Sequence, residues 1–267
     1  MHKLPKRLLG NTGLLVSPIG LGTVKIGRDS GVKYAQQFTI PSDKQVSSLL
    51  QVAQEMGVNL IDTAPAYGES ETRLGKLINN RDDWIICSKV GEEFENGEST
   101  FDFSSAHTRF SVERSLKRLQ TDVIDLVLIH SNGSDEEIIN QTDCISELQK
   151  LKDSGHIKAF GMSTKTVSGG LLATQCTDVV MVTYNPLTEE DAIIIQQANE
   201  MNKGVLIKKG LLSGHLSSLT GDDNDSVKDS LRFIFEQPGV SSIIIGTINE
   251  DHFRENVKDT IEILQAD

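Results

Sequence analysis

The sequence has little of what marks secreted, metal-binding or membrane proteins. Its 267 residues include only three cysteines, Cys87, Cys144 and Cys176, too few and too widely spaced for a disulfide framework or a metal site. No apolar run approaches the roughly 20 residues that cross a bilayer, and the amino terminus lacks the apolar stretch of a signal peptide. We therefore expect a cytoplasmic protein with reduced thiols, no bound metal and no membrane association.

Basic residues are also scarce. Lysine and arginine total 26 against 38 acidic residues, which gives a net charge of −12. Because nucleic acids and anionic membranes attract cations, this balance argues against either as a partner. The length suffices for one large core, and no linker interrupts the chain. We expect a single domain spanning residues 1–267, acting on a small molecule as a monomer or small homo-oligomer.

Eight short apolar runs recur along the chain, at 19–24, 58–62, 84–89, 123–130, 156–162, 178–184, 204–207 and 242–246. Apolar runs without alternation are typical of strands buried on both faces, and intervening helices imply parallel pairing. The predicted fold is therefore α/β, a (β/α)8 TIM barrel with a short amino-terminal β-hairpin near residues 10–13. A doubly wound open sheet is the alternative, disfavoured because no GxGxxG follows the first strand.

Helical patterns lie between these runs. Ser42 and Gln45 have the spacing of a capping box that starts the first helix, which is predicted to close at 56–57. The further predicted helices are 71–78, 105–119, 136–154, 167–174, 189–201, 226–236 and 251–264. Segment 25–40 shows no clear period and segment 91–103 is rich in Glu, Gly and Ser, so both are predicted to be loops.

Polar side chains end three consecutive predicted strands. Asp62 ends the second run and Tyr67 follows it in a turn, while Lys89 and His130 end the third and fourth runs. Because the carboxyl ends of parallel strands meet at one edge, these side chains are expected to lie together. Asp125 lies inside the fourth run, away from that edge, which indicates a structural role.

An acid, a phenol, an amine and an imidazole suit proton transfer at a carbonyl group. Reduction puts negative charge on the carbonyl oxygen, which then needs a proton. A phenol ionises only near pH ~10, but a neighbouring ammonium group stabilises the phenolate and makes the phenol a better acid. We expect Tyr67 to be the donor and Lys89 to supply the charge, with Asp62 orienting Lys89. A neutral His130 is expected to hydrogen-bond the carbonyl oxygen.

Residues 61–68, which read IDTAPAYG, resemble the signature of the aldo-keto reductases. Further similar segments follow in the family's order, at 88–89, 126–130, 155–157, 161–163, 184–187, 246–247 and 255–256. The resemblance runs from about residue 8 to residue 257. It implies a (β/α)8 barrel and hydride transfer between a nicotinamide dinucleotide and a carbonyl. It places the catalytic group on Asp62, Tyr67, Lys89 and His130.

The resemblance also implies a cofactor site, assigned here to Gly22, Thr23, Asp62, Ser163, Thr164, Lys208, Gly246, Thr247, His252, Glu255 and Asn256. Three positions depart from the family pattern. Thr164 replaces an asparagine, Met181 replaces a glutamine, and Lys208 stands where many relatives stack an aromatic ring on the nicotinamide. The basic residues near the phosphate end, His252 and Arg254, favour NADP(H) over NAD(H).

Three functions fit the sequence. The first is an NADP(H)-dependent reductase of small aldehydes or ketones, and the second is an NAD-dependent alcohol or sugar dehydrogenase using the same residues. The third is a non-catalytic, dinucleotide-binding regulatory subunit, suggested by the departures at Thr164, Met181 and Lys208. A metal-dependent hydrolase is disfavoured because no ligand spacing is present.

Overall fold

The computed structural model describes residues 3–32, 37–212 and 223–266. An antiparallel hairpin of Arg7–Leu8 and Leu15–Val16 comes first. Its buried Leu9 and Leu14 pack with residues inside the barrel, and Asn59 accepts a 2.7 Å hydrogen bond from the backbone N–H of Ser17. The predicted hairpin is confirmed, and it packs against the amino-terminal end of the barrel strands.

Eight parallel strands form a closed barrel. They are β1 (Ile19–Gly22), β2 (Leu60–Asp62), β3 (Ile85–Val90), β4 (Ile124–His130), β5 (Ile157–Ser163), β6 (Val179–Thr183), β7 (Gly204–Lys208) and β8 (Ser242–Ile245). β8 pairs with β1, and β5 pairs with β6, so the sheet has no free edge. The predicted (β/α)8 barrel is confirmed, with each strand within two residues of its predicted bounds.

The helices are α1 (Val24–Gly27), α2 (Asp43–Glu55), α3 (Ser70–Leu77), α4 (Ser105–Leu119), α5 (Asp135–Gln141), α6 (Cys144–Asp153), α7 (Val167–Cys176), α8 (Ala192–Glu200), α9 (Asp223–Glu236) and α10 (Glu250–Ala266). The capping box of Ser42 and Gln45 is present at the start of α2. Among helices in the described ranges, none combines the length and apolar character needed to cross a bilayer.

Three predicted segments differ from the structure. Part of the loop predicted at 25–40 is helix α1, which begins as soon as β1 ends; residues 33–36 lie outside the described residues. The loop predicted at 91–103 contains a second antiparallel hairpin, Glu92–Glu95 paired with Glu98–Phe101, here called the mouth hairpin. The helix predicted at 136–154 is two helices, because Thr142 between them has extended backbone.

Side chains of the barrel strands form two cores, one inside the barrel and one between the barrel and the helices. Leu60, Cys87 and Leu128 belong to the cluster inside the barrel, whereas their neighbours Ile61 and Ile129 pack with the outer layer under the helices. Because successive side chains of a strand point to opposite faces, each strand contributes alternate residues to the two cores. This division explains the absence of polar alternation in the sequence.

Asp125 anchors the outer face of β4. Its Oδ2 accepts hydrogen bonds from Arg81 Nη2 at 2.7 Å and from the backbone N–H of Ile86 at 2.9 Å. Its Oδ1 accepts from Lys158 Nζ at 2.7 Å. These contacts tie β4 to β3 and β5 and support the structural role expected for this carboxylate.

We predict that Asp125→Ala lowers the free energy of unfolding by about 2–4 kcal/mol, because it leaves the Ile86 N–H without an acceptor and removes the carboxylate that pairs with Arg81. The expected loss of stability is no larger because Arg81 and Lys158 are partly exposed, and solvent screens their attraction to Asp125. Urea denaturation measures it. The control, Asp122→Ala, removes an exposed carboxylate just before β4 and is expected to change stability by less than about 0.5 kcal/mol. Equal effects of the two substitutions would contradict the assignment.

Candidate active site

The carboxyl ends of the barrel strands place polar groups on the inner face. Asp62, Lys89 and His130 each lie two residues beyond an inward-facing apolar residue. They therefore point into the barrel at its carboxyl-terminal mouth. Ser163 and Lys208 occupy the corresponding places on β5 and β7. One layer of inward-facing positions thus carries three of the four predicted catalytic side chains and two of the predicted cofactor residues.

Lys89 and Asp62 form a buried ion pair. Lys89 Nζ donates to Asp62 Oδ1 at 2.6 Å and to the carbonyl oxygen of Thr63 at 2.9 Å. The two side chains are only 2% and 6% exposed. Burial alone would lower the pKa of Lys89, but Asp62, with smaller contributions from Tyr67 and Cys87, raises that pKa well above its ordinary value. Lys89 is therefore a permanent cation in a nearly dry site.

Tyr67 lies beside this cation. The turn after β2 forms a short 3-10 helix, Pro65–Tyr67, which ends at Gly68 with φ of 60°. A Cβ at Gly68 would lie 2.2 Å from the carbonyl oxygen of Gly27, so only glycine permits this close approach. The turn puts the Tyr67 ring centroid 4.7 Å from Lys89 Nζ. Tyr67 remains partly exposed at the mouth.

A network of hydroxyl groups supports the end of β2. Thr23 Oγ1 donates to the carbonyl oxygen of Asp62 at 2.8 Å, and Ser70 Oγ donates to Thr23 Oγ1 at 2.8 Å. Thr63 Oγ1 lies 2.9 Å from Ser70 Oγ. Thr23 is fully buried, so its hydroxyl positions the Asp62 backbone; its expected cofactor contact stays a prediction. Sequence reasoning missed Ser70 and Thr63, although both follow Asp62 closely.

His130 lies on the other side of Tyr67. The two rings are edge-on, with centroids 6.1 Å apart. His130 Nδ1 lies 2.7 Å from Glu92 Oε2, on the mouth hairpin. Burial lowers the pKa of His130, Glu92 opposes that shift, and Lys89 reinforces it, so a neutral ring is favoured, as expected. Sequence reasoning missed Glu92 because its segment was assigned to a loop.

Lys208 crosses the mouth toward β5. Its Nζ donates to Ser163 Oγ at 2.9 Å and to the carbonyl oxygen of Thr164 at 2.6 Å. Burial, with a contribution from Lys209, lowers the pKa of Lys208 to about 7. Thr164 Oγ1 is buried and has no hydrogen-bond partner among the described residues. Met181, a third departure from the family pattern, lies in the apolar barrel interior.

The loop after β8 completes the mouth. A Cβ at Gly22 would lie 3.3 Å from the Cα of Gly246. The ends of β1 and β8 therefore lie close together, with little room for a side chain between them. Asn249 Oδ1 accepts from the N–H of Asp251 at 2.9 Å and of His252 at 3.2 Å. These two N–H groups at the start of α10 are therefore already bonded to the Asn249 side chain. A phosphate group could bind them only by displacing that side chain.

The other residues assigned to the cofactor are near this loop. Thr247 Oγ1 accepts from the backbone N–H of Asn249 at 3.1 Å. His252 and Glu255 are exposed on α10, while Asn256 is buried. Neither His252 nor Arg254 forms an ion pair with any described residue. In the described part of the chain, no group of three or more His, Cys, Asp or Glu residues is arranged to bind a metal.

Comparison with known proteins connects this site to a family. The model of the aldo/keto reductase family matches residues 18–230. A solved structure of a Pseudomonas aeruginosa protein assigned to the aldo-keto reductases is 50% identical and covers 97% of this chain and 96% of its own, with a TM-score of 0.88. An uncharacterized oxidoreductase of Bacillus subtilis, YqkF, is 28% identical over 95% of this chain and 90% of its own length.

A third relative is the L-galactose dehydrogenase of Arabidopsis thaliana, 28% identical over 98% of this chain and 90% of its own length. The similarity extends over nearly the whole barrel rather than one motif. The family model covers every strand from β1 to β7, and with them Asp62, Tyr67, Lys89 and His130. The chain therefore belongs to the aldo/keto reductase family of oxidoreductases.

Proposed function

We propose that the protein interconverts a carbonyl compound and its alcohol with a nicotinamide dinucleotide, and that Tyr67 transfers the proton. The observation that carries this proposal is the position of the Tyr67 ring, 4.7 Å from the ammonium group of Lys89. That ammonium is locked to Asp62 at 2.6 Å. A partly exposed phenol beside a buried, permanent cation suits general acid–base chemistry at the mouth of the barrel.

The positive charge of Lys89 determines which state of the reaction is stabilised. As a carbonyl is reduced, its oxygen becomes negative and takes the proton of Tyr67, which leaves a phenolate. The Lys89 ammonium attracts and so stabilises that phenolate. Because the site excludes most water, this attraction is little screened. In the reverse direction the phenolate accepts the proton of an alcohol. His130, edge-on to Tyr67, borders the space where the substrate binds.

The residues at the mouth fit a nicotinamide dinucleotide, which supplies or accepts the hydride when bound. The buried Thr164 Oγ1 lacks a hydrogen-bond partner among the described residues and lies next to Ser163, so this edge can hold an amide group. Gly246, partly exposed after β8, has no side chain that would hinder the approach of a pyrophosphate, and the buried Gly22 packs against it. His252 and Arg254, without ion-pair partners among the described residues, lie on the helix that follows.

We favour NADP(H) because a guanidinium group such as that of Arg254, which pairs with no carboxylate in the described part of the chain, can bind a 2′-phosphate. The acidic first turn of α10, with Glu250 and Asp251, opposes this preference electrostatically. Proton transfer by Tyr67 applies with either cofactor.

Oxidation of a sugar is the second candidate. The Arabidopsis relative that matches 98% of this chain is a dehydrogenase of L-galactose. The same phenolate would then accept a sugar hydroxyl proton. The non-catalytic alternative predicts dinucleotide binding without turnover on any carbonyl or sugar.

We predict that Tyr67→Phe lowers kcat by ~10²–10⁴-fold, the usual contribution of a general acid, while the cofactor Kd stays within about twofold. Steady-state kinetics and a fluorescence titration with the cofactor measure the two quantities. The ring and its packing remain, so the loss reports on the hydroxyl group.

The matched control is Tyr184→Phe. Tyr184 is buried against Phe233 and bonds Gln237, so this change removes a phenol from a structural place and is expected to leave kcat within about threefold. Unchanged turnover in Tyr67→Phe would remove Tyr67 as the proton donor.

We also predict that Arg254→Gln weakens NADPH binding about tenfold and leaves NADH binding unchanged, because a bond to a charged phosphate is worth ~1.5–3 kcal/mol. Arg232→Gln on α9, where Arg232 is exposed and pairs with Asp229, is the control. A wild-type protein that binds NADH more tightly than NADPH would contradict the NADP(H) preference and favour the dehydrogenase.

A further inference from the structure

The mouth hairpin is placed beside the site by the strand that precedes it. β3 pairs with β4 so that Val90 opposes Ile129. Gly91 follows with φ of 101°, and a Cβ there would lie 2.3 Å from Phe103, so only glycine permits this turn. The hairpin begins immediately afterwards, at Glu92. Its base is therefore fixed by the barrel register and by one glycine.

The first strand of the hairpin, Glu92–Glu95, touches both sides of the site. It packs against the short helix Pro65–Tyr67, here called the Tyr67 turn, which carries the proposed proton donor. On the other side, Glu92 Oε2 lies 2.7 Å from Nδ1 of His130. Tyr67 and His130 are thus connected through one strand of the hairpin, and a movement of that strand would change the space between them.

Arg28, in the loop after α1, fastens this strand to the Tyr67 turn. Its Cζ lies over the Phe94 ring, 3.2 Å from the ring centroid, so the guanidinium group contacts the face of that ring. Its Nη1 donates to the carbonyl oxygen of Ala66 at 3.1 Å. Because the Ala66 carbonyl and the Tyr67 N–H belong to one peptide plane, this bond restrains the backbone at Tyr67.

The guanidinium group is itself held in one orientation by its own loop. Nε of Arg28 donates to the carbonyl oxygen of Ser30 at 2.8 Å, and Nη2 donates to that of Gly31 at 2.9 Å. Each of the three nitrogen atoms therefore binds a backbone carbonyl. The ammonium group of a lysine is compact, so it could not contact the ring and also reach three carbonyls. The position thus uses the planar shape of arginine as well as its charge.

The charge of Arg28 also acts on the hairpin. Burial alone would raise the pKa of Glu92, but His130, Ser99 and, to a smaller extent, Arg28 hold that pKa at about 2. Glu92 is therefore ionised at neutral pH, and its attraction to Arg28 adds to the contact with Phe94.

We propose that Arg28 is a positioning residue that joins the mouth hairpin to the Tyr67 turn and thereby fixes the separation of Tyr67 and His130. The contact with Phe94 holds the hairpin, and the bond to the Ala66 carbonyl holds the turn. The mouth is then formed before a substrate binds, with the hairpin as a rigid wall. The inference rests on the proposed function for its kinetic consequence, whereas the fastening itself does not depend on turnover.

The first arm of the test is amide hydrogen–deuterium exchange of the whole protein, followed by mass spectrometry. The N–H groups of Tyr67 and Glu69 are bonded to backbone carbonyls and report on the turn. We expect Arg28→Met to speed exchange about tenfold in segment 64–70 and in the mouth hairpin, and to leave the barrel strands unchanged. Wild-type exchange in both segments would overturn the proposal, whether or not the protein turns over any substrate.

The second arm is kinetic. We expect Arg28→Met to lower kcat about 10–100-fold, because a displacement of about 1 Å at a reacting group can cost that much. The cofactor Kd is expected to stay within about twofold. Arg28→Lys keeps the charge but not the planar group, and it is expected to remain impaired. A wild-type kcat in Arg28→Lys would overturn the proposal, because charge alone would then suffice.

Substitutions of Phe94 test the other half of the fastening. Phe94→Leu removes the ring and leaves the guanidinium group, so we expect it to lower kcat and to speed exchange in the same two segments. Phe94→Tyr keeps an aromatic face for Arg28 and is expected to retain most of the wild-type kcat. Equal kcat in Phe94→Leu and Phe94→Tyr would contradict a role for the contact with Arg28.

The matched control is Arg114→Gln. Arg114 pairs with Glu93 of the same hairpin and lies over the Phe110 ring, and none of its bonds within the described ranges reaches the Tyr67 turn. We expect faster exchange in the hairpin alone and a kcat within about threefold of the wild type. Equal losses of kcat in Arg28→Met and Arg114→Gln would overturn the proposal, because loosening of the hairpin would then account for both.

Failure of the proposed function gives a different result. Absence of turnover with every substrate would contradict that function. The exchange rates of Arg28→Met would still decide whether Arg28 joins the hairpin to the Tyr67 turn.

Discussion

The site depends on one buried ion pair, between Asp62 and Lys89. Removing two charges from water costs several kcal/mol each, and such pairs seldom add stability over apolar replacements. The pair is therefore better explained by its effect on the neighbouring Tyr67 than by a contribution to stability. Two of the three N–H groups of Lys89 are committed, to Asp62 and to the Thr63 carbonyl. The ammonium is thus fixed in place with its charge directed at Tyr67.

The barrel provides the rigidity that this arrangement requires. Asp62 and Lys89 come from adjacent strands whose backbone hydrogen bonds fix their register. The backbone position of Asp62 is further set by the hydroxyl network of Thr23, Thr63 and Ser70. Tyr67 is on a turn, but the paired glycines Gly27 and Gly68 pack that turn against α1. Rigid strands thus carry the charges, and a tightly packed turn carries the proposed proton donor.

The barrel and its mouth could be predicted because they follow from local patterns. Strand order, the capping box before α2 and the polar residues ending β2, β3 and β4 are all visible in the sequence. The mouth hairpin was missed since its Glu-rich strands lack an apolar face, and with it the contact between Glu92 and His130. That contact depends on the register between β3 and β4 and on the turn at Gly91, which composition does not encode. Lys208 was singled out by its departure from the family, but its bonds to Ser163 and Thr164 required the structure.

The central claim is that Lys89 acts through Tyr67, and a double-mutant cycle tests it most directly. The quantity to measure is kcat for Tyr67→Phe, Lys89→Met and the double variant, each shown to be folded by circular dichroism. If the ammonium serves only to stabilise the Tyr67 phenolate, the double variant will be no slower than the slower of the two single variants. Effects that multiply in the double variant would show that Lys89 and Tyr67 contribute independently, and would contradict the account.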